Sequence, residues 1–387
     1  MGKLAILLKL SLMALGKSFT AETQRPQRAA ERSNSPTIFL CAPLPSLRLC
    51  GEILTPILLL LILVTACQKP PPKDPCTHFE GCAMTMPYRI TIGKQLSKAE
   101  QKKVSSLIDK TFAEVHEIFD NWNPDSEISR LNAATAGALV PLSPSLQDLL
   151  TLCSKIVALS GGRFDPTIEP LAKVWSEALQ QKKMPTPESL QTAGDALGWN
   201  HISIHNGIFR KDCSDTRLDL CAVSKGLCID WIVERLQKMG HEDLFVEWAG
   251  EIRAAGHHPE NRDWVVQINP ALKVQEKSMA PIPLRNQAIA ISGDSDQKDW
   301  ILPAEGSADG QIHRFFHMID PLTAQPLEKT EHSIAVATVI APTCALADAL
   351  ATAAMLFPSQ KEAESFAQEV VDLYPEVSFW ILSYRKK

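Results

Sequence analysis

The chain has 387 residues, 45% hydrophobic and 21% charged, a balance that excludes a disordered or fibrous protein. Its formal net charge is -5 and its Lys and Arg are scattered, with no long basic run, which excludes a nucleic-acid partner.

A first apolar stretch, Leu4 to Leu15, is followed by a polar, Arg-containing segment. A second, Ile53 to Val64, is interrupted only by Thr55 and Pro56. Its length suits the apolar core of a secretory signal and is short for a membrane span. It runs into Val64-Thr65-Ala66-Cys67, which resembles the bacterial lipobox, whose Cys receives the lipid. The alternative is an uncleaved anchor helix with a chance Cys; both place the body outside the cytoplasm. The late position of the signal leaves a start further downstream open. Residues 1–66 thus read as leader and lipoprotein signal peptide. Residues 67–78 read as a lipidated tether, extended and stiffened by Pro70, Pro71, Pro72 and Pro75.

In the body, Pro87 to Gly93 alternates as a strand. Ser97 to Phe119 has helical apolar spacing opened by a Ser97/Glu100 capping box. Leu146 to Ser160 predicts a second amphipathic helix, stopped by Gly161-Gly162. His201 to Arg210 reads as a hairpin around Asn206-Gly207. Ser224 to Met239 reads as a helix, and Leu244 to Trp248 and Trp264 to Ile268 as strands. Ala288 to Ser292 and Ile334 to Ile340 are further strands, and Thr343 to Phe357 is an Ala-rich helix between Pro342 and Pro358. Strands and helices interleave without regular βαβ units, which predicts an α+β fold. Seven Cys remain after Cys41, Cys50 and Cys67, so at least one thiol is free. Cys213, Cys221 and Cys228 lack zinc-site spacing and read as buried apolar thiols.

Asp348 and Thr352 lie four apart on the last of these helices and project from one face, roughly 6 Å apart. A carboxylate and a hydroxyl so placed can share a hard cation such as magnesium. The other reading is that Thr352 bonds back to the Asp348 carbonyl while Asp348 is solvated near the helix start.

Other segments occur in a fixed order: Met84-Thr85-Met86-Pro87-Tyr88; Trp122 to Asn132; Gly161-Gly162-Arg163-Phe164-Asp165-Pro166-Thr167; Leu218 to Gly226; Ala249-Gly250-Glu251-Ile252-Arg253; Ile291-Ser292-Gly293-Asp294; and His317 to Thr323. The series, closed by the Asp348 helix, resembles the FAD:protein FMN transferase (ApbE-type) family over about residues 79 to 385. That resemblance implies one large mixed α+β domain of the ApbE-like, T-fold-related type, with 79–387 as the catalytic domain behind a cleaved lipoprotein signal. It implies magnesium held by Asp348, Thr352 and the backbone carbonyl of Ala222. It implies FAD contacts at Met84, Trp122, Arg163, Phe164, Asp165, Asp219, Lys225 and Ile319. Trp122 offers an aromatic face, Lys225 a positive charge near a helix start, and Asp219 a hydrogen-bond acceptor. Their bland readings are a surface-loop plug for Trp122, a solvated charge for Lys225 and a cap for Asp219.

His317 is the one histidine inside a family motif; it has a proton-transfer or phosphate-contacting reading and a structural one, a hydrogen bond to the turn at Asp320-Pro321. The remaining histidines, His257-His258 among them, read as solvated. The chain departs from the family pattern at Cys221-Ala222 (Gly-Gly), Ser224 (Ala), Ala249 (Gly) and Ala324 (Gly). The implied reaction is magnesium-dependent transfer of the FMN moiety of FAD to a Ser or Thr hydroxyl, releasing AMP, with Asp348 or His317 taking the hydroxyl proton. Implied acceptors are flavoprotein subunits of membrane redox complexes, such as the sodium-translocating NADH:quinone reductase. The implied location is the periplasmic face of a bacterial inner membrane, held by lipid on Cys67. Hydrolysis of FAD to FMN and AMP, and flavin binding without chemistry, are the alternatives.

Overall fold

The computed structural model describes residues 74–268, 280–293, 300–303, 312–330 and 332–384. The expected leader, the signal segment with Cys67, and Asp294 lie outside the described residues.

A seven-stranded sheet organises the body, and its strands hydrogen-bond in chain order: β1 (Thr77–Ala83), β2 (Met86–Ile92), β3 (Leu244–Trp248), β4 (Glu251–Ala255), β5 (Gln287–Gly293), β6 (Ile334–Ala341) and β7 (Ser378–Ser383). Every pairing is antiparallel. β1 begins within the segment read as tether. The all-apolar β6, save Thr338, is buried along its whole length, as a strand covered on both faces must be.

Between β2 and β3 the chain inserts six α-helices. The first, α1 (Lys98–Phe119), starts at Ser97 with both halves of the capping box formed. It is followed by α2 (Glu127–Ala133), α3 (Pro144–Leu159), α4 (Glu169–Gln180), α5 (Pro187–Asp195) and α6 (Cys221–Lys238). After β6 come α7 (Cys344–Met355) and α8 (Gln360–Leu373). α6 begins three residues before the predicted start, because Asp219 Oδ1 accepts the Cys221 N–H at 2.8 Å and closes the first turn. α6 and α7 lie against each other and against the sheet, α6 on β3 and β4, α7 on β5 and β6. The Asn206-Gly207 hairpin forms between Ile202–His205 and Ile208–Lys211. The opposite face of the sheet is covered by a small apolar cluster that includes Ile252, Trp264, Leu284 and Ile289.

Three readings of individual side chains fail. Cys228 is buried, but Cys213, in the loop before α6, is half-buried, and Cys221 is exposed, since the start of α6 faces a cavity and not the core. All seven cysteines from Cys76 onward are free thiols. His258 is half-buried, edge-on to Trp264 with ring centres 5.0 Å apart, and so is not simply solvated. Among the described residues no helix is long and apolar enough to cross a membrane.

Two of the altered glycine positions have a structural cost and two do not. Ala249 and Ala324 hold left-handed backbone, φ 56° and 55°, where glycine is the natural occupant. Cys221 and Ala222 begin an ordinary right-handed helix and carry no such strain.

Candidate active site

A cavity of about 1410 Å³ opens where the helices meet the ends of the central strands. Its walls come from the β1–β2 turn, the C-terminal end of α1, the loop after α3, the start of α6, the β3–β4 turn, the end of β5 and one face of α7. The strand Ile312–Asp320 supplies the remaining side. Met84, Trp122, Arg163, Phe164, Asp165, Asp219, Ala222, Lys225, His317, Ile319, Asp348 and Thr352 all line it.

The floor is built on the contact between α6 and α7. Asp348 is buried, only 2% exposed, and both its oxygens face the Lys225 ammonium, Oδ2 at 3.2 Å and Oδ1 at 3.4 Å. The same ammonium sits 3.1 Å from Glu251 Oε1 and donates to the Cys221 carbonyl at 3.1 Å. Lys225 is therefore not a solvated charge, and Asp348 is not a solvated helix-start residue. The Thr352 hydroxyl pairs with Ser292 Oγ of β5 at 3.3 Å and not with the Asp348 carbonyl, which removes the back-bonding reading.

Two carboxylates on one ammonium leave this floor with surplus negative charge. Burial pushes the Glu251 carboxyl up to about 7 against the opposing pull of Lys225, with Asp348 adding repulsion. Asp348 is raised for the same first reason, burial. Glu251 Oε2 is buried with no hydrogen-bond partner. Surplus charge and an orphaned oxygen fit a divalent cation, and the carboxylate, hydroxyl and backbone carbonyl of Asp348, Thr352 and Ala222 are the hard oxygen donors magnesium takes. Among the described residues no group of three or more His, Cys, Asp and Glu side chains is placed to hold a metal, so a cation here would complete its shell with water or phosphate oxygen.

On the walls, Trp122 is 91% exposed, so it plugs nothing and presents its indole to the cavity mouth. Arg163 is already engaged: its guanidinium donates to Asp320 Oδ2 at 3.0 Å and to the Leu356 carbonyl at 3.3 Å, and lies over the Phe357 ring. Asp165 accepts from both the backbone and hydroxyl of Thr167, and from Trp199 N, so its side chain holds its own loop. Phe164 is core, 4% exposed.

His317 projects into the solvent of the cavity and makes no side-chain hydrogen bond among the described residues. The hydrogen bond expected from it to the turn at Asp320-Pro321 does not form; the Asp320 carboxylate there accepts from Arg163 and from the Leu322 N–H instead. Partial burial, then the charges of Lys329 and Lys225, lower its pKa, so its imidazole is neutral at pH 7. Glu251 and Ser292 belong to segments singled out in the sequence but had no role assigned; only the pairing of distant strands with α6 and α7 reveals one.

The family model of the ApbE family matches residues 84–374. A Chlamydia muridarum protein named FAD:protein FMN transferase is 33% identical over 323 residues, covering 82% of this chain and 96% of its own. A Chlamydia trachomatis protein of the same name is 36% identical over 295 residues, with 76% and 88% covered. The crystal structure of the Pseudomonas stutzeri flavinyl transferase ApbE in its apo form superposes with a TM-score of 0.68 at 24% identity, covering 80% of this chain and 92% of that one.

Proposed function

The chain belongs to the ApbE family and is an FAD:protein FMN transferase, and from that premise we propose that it moves FMN from FAD to a Ser or Thr hydroxyl with magnesium bound at the cavity floor. The observation that carries this reading is the buried Asp348 carboxylate beside Thr352, opposite Lys225, at the base of a cavity large enough for a dinucleotide.

Asp348, Thr352 and the Ala222 carbonyl would hold the metal. When bound, it supplies neutralisation of charge on the pyrophosphate and on the departing AMP. Lys225, at the start of α6, places an ammonium where the phosphates would lie. Trp122 offers its exposed face to a flavin or adenine ring, and Met84 and Ile319 line apolar walls. In the transfer, the acceptor hydroxyl oxygen bonds to the FMN-side phosphorus and the phosphorus–oxygen bond to AMP breaks. AMP leaves with the bridging oxygen, and the hydroxyl proton passes to a base. His317, neutral and open to the cavity, suits that task better than Asp348, which is buried and held by Lys225.

The acceptor is proposed to be a subunit of a membrane redox complex, of which the sodium-translocating NADH:quinone reductase is the example the resemblance offers. The lipobox-like Val64 to Cys67 and the Pro-rich segment after it support a lipid-anchored enzyme at the periplasmic face.

The test is to incubate the protein with FAD, magnesium and a candidate acceptor domain and to weigh the acceptor. A mass gain equal to one FMN moiety, lost in Asp348→Ala, supports transfer. Free FMN and AMP beside an unmodified acceptor means hydrolysis, and unchanged FAD means binding alone.

A further inference from the structure

The Lys225 ammonium holds the Asp348 carboxylate that a bound cation would compete for. It lies within 3.4 Å of both Asp348 oxygens, so a cation drawn to that carboxylate meets the ammonium's charge there. It also lies 3.1 Å from Glu251 Oε1, whose companion Oε2 is buried without a partner on a side chain 7% exposed. Glu251 starts β4, directly after the tight Ala249-Gly250 turn, and faces α6 across the sheet. Its spare oxygen and its full hydrogen-bonding capacity exceed what one shared ammonium uses.

We propose that Glu251 is a positioning residue for metal binding, the seat to which the Lys225 ammonium withdraws when a divalent cation takes the Asp348 carboxylate. This rests on the reading of Asp348 as a metal ligand. Without Glu251, a buried ammonium driven off Asp348 would have no carboxylate to meet, and an uncompensated buried charge is costly. With Glu251 in place, the ammonium gives up Asp348 but keeps the buried carboxylate it already holds.

The experiment is a double-mutant cycle read by binding alone. Mn2+ uptake is measured by the electron paramagnetic resonance of free Mn2+, with no FAD present, in the wild type, Glu251→Gln, Lys225→Met and the double variant. Under the exchange, Glu251→Gln weakens Mn2+ binding about tenfold (~1.4 kcal/mol) when Lys225 is present, and by less than about twofold once Lys225 is Met. Lys225→Met alone tightens binding. If Glu251 merely adds negative charge or holds the fold, its removal weakens binding equally in both backgrounds, which overturns the proposal. Asp348→Ala is run beside them: binding that does not depend on Asp348 overturns the metal reading itself, and the exchange with it. A crystal structure of the wild type soaked in Mn2+ gives a check free of variants. It should show Nζ still on Glu251 and gone from Asp348; an ammonium left between the two carboxylates refutes the exchange.

Discussion

A Cβ placed on Gly226 of α6 would lie 2.5 Å from both the carbonyl carbon and the carbonyl oxygen of Cys344, the first residue of α7. The two helices therefore touch backbone to backbone one residue after Lys225 and one turn before Asp348. The Asp348 carboxylate and the Lys225 ammonium meet because nothing larger than hydrogen stands at 226. Gly226→Ala gains about 1 kcal/mol of helix propensity, but forces a methyl against rigid backbone, an overpacking cost of roughly 3 kcal/mol. The expected outcome is a net loss of about 2 kcal/mol in urea unfolding and a flavin-transfer rate that falls further than the lost folded fraction explains. Wild-type stability and rate in this variant would refute the contact.

The same junction depends on Asp230, a buried carboxylate of α6 that caps α7. It accepts from Cys344 N at 2.8 Å and Ala345 N at 2.9 Å, and Arg253 donates to it at 2.7 Å. Asp230→Ala strands two N–H groups and a guanidinium, and should cost about 3 kcal/mol. Burial raises the Asp230 pKa from 3.8 to about 6, with Arg253 and the two N–H bonds opposing. Because the folded value is the higher one, this group's contribution is full below the unfolded value and is lost as pH rises through about 6. The stability gap between wild type and Asp230→Asn should accordingly be larger at about pH 4.5 than at pH 7.5. Unfolding midpoints that keep the same separation at both pH values would refute the raised pKa.

Ala249 and Ala324 offer a gain. An L-residue in left-handed backbone costs about 1–2 kcal/mol, and glycine returns part of that to unfolded-chain entropy. Ala249→Gly and Ala324→Gly should each stabilise by about 0.5–1 kcal/mol, and nearly additively, since they sit in separate turns. Thermal unfolding of the two single variants and the double decides it; a lower melting temperature in either single variant would show that its backbone strain is already relieved.

What could be read from the chain alone was what local chemistry encodes. The Ser97/Glu100 box fixes the start of α1, Asn206-Gly207 fixes a hairpin, and Pro342 and Pro358 bracket α7. The strand carrying His317 and the last strand, β7, were missed because their order comes from partners far along the chain. So were α4 and α5, whose apolar residues meet a separate small cluster around Trp175. The residue set lining the cavity was legible through the order of its segments, but not how each member is used. Lys225 finds Glu251 from a distant part of the chain through register and turn, and Arg163 is consumed by Asp320, far along the chain. Spacing along one helix suggested that Asp348 and Thr352 share a face; only the packing of β5 against α7 gives Thr352 the hydroxyl of Ser292 as its partner.

His317 gives the most direct test of the chemistry. Its folded pKa lies below the ordinary 6.5, from burial first and then from Lys329 and Lys225. A histidine depressed in this way contributes stability above the unfolded value that is lost as pH falls below 6.5 and through the folded pKa. The neutral, base-competent form therefore persists through neutral pH, and the acid limb of kcat/KM for flavin transfer should fall below pH 6.5. His317→Gln should lose roughly 100-fold or more in kcat with little change in FAD binding, and should lose that limb. Lys329→Met removes one of the charges that depress the imidazole, so the limb should move upward while the plateau rate stays near wild type. A limb that persists in His317→Gln, or does not move in Lys329→Met, would transfer the proton to another group in the cavity, with Asp348 the next to examine.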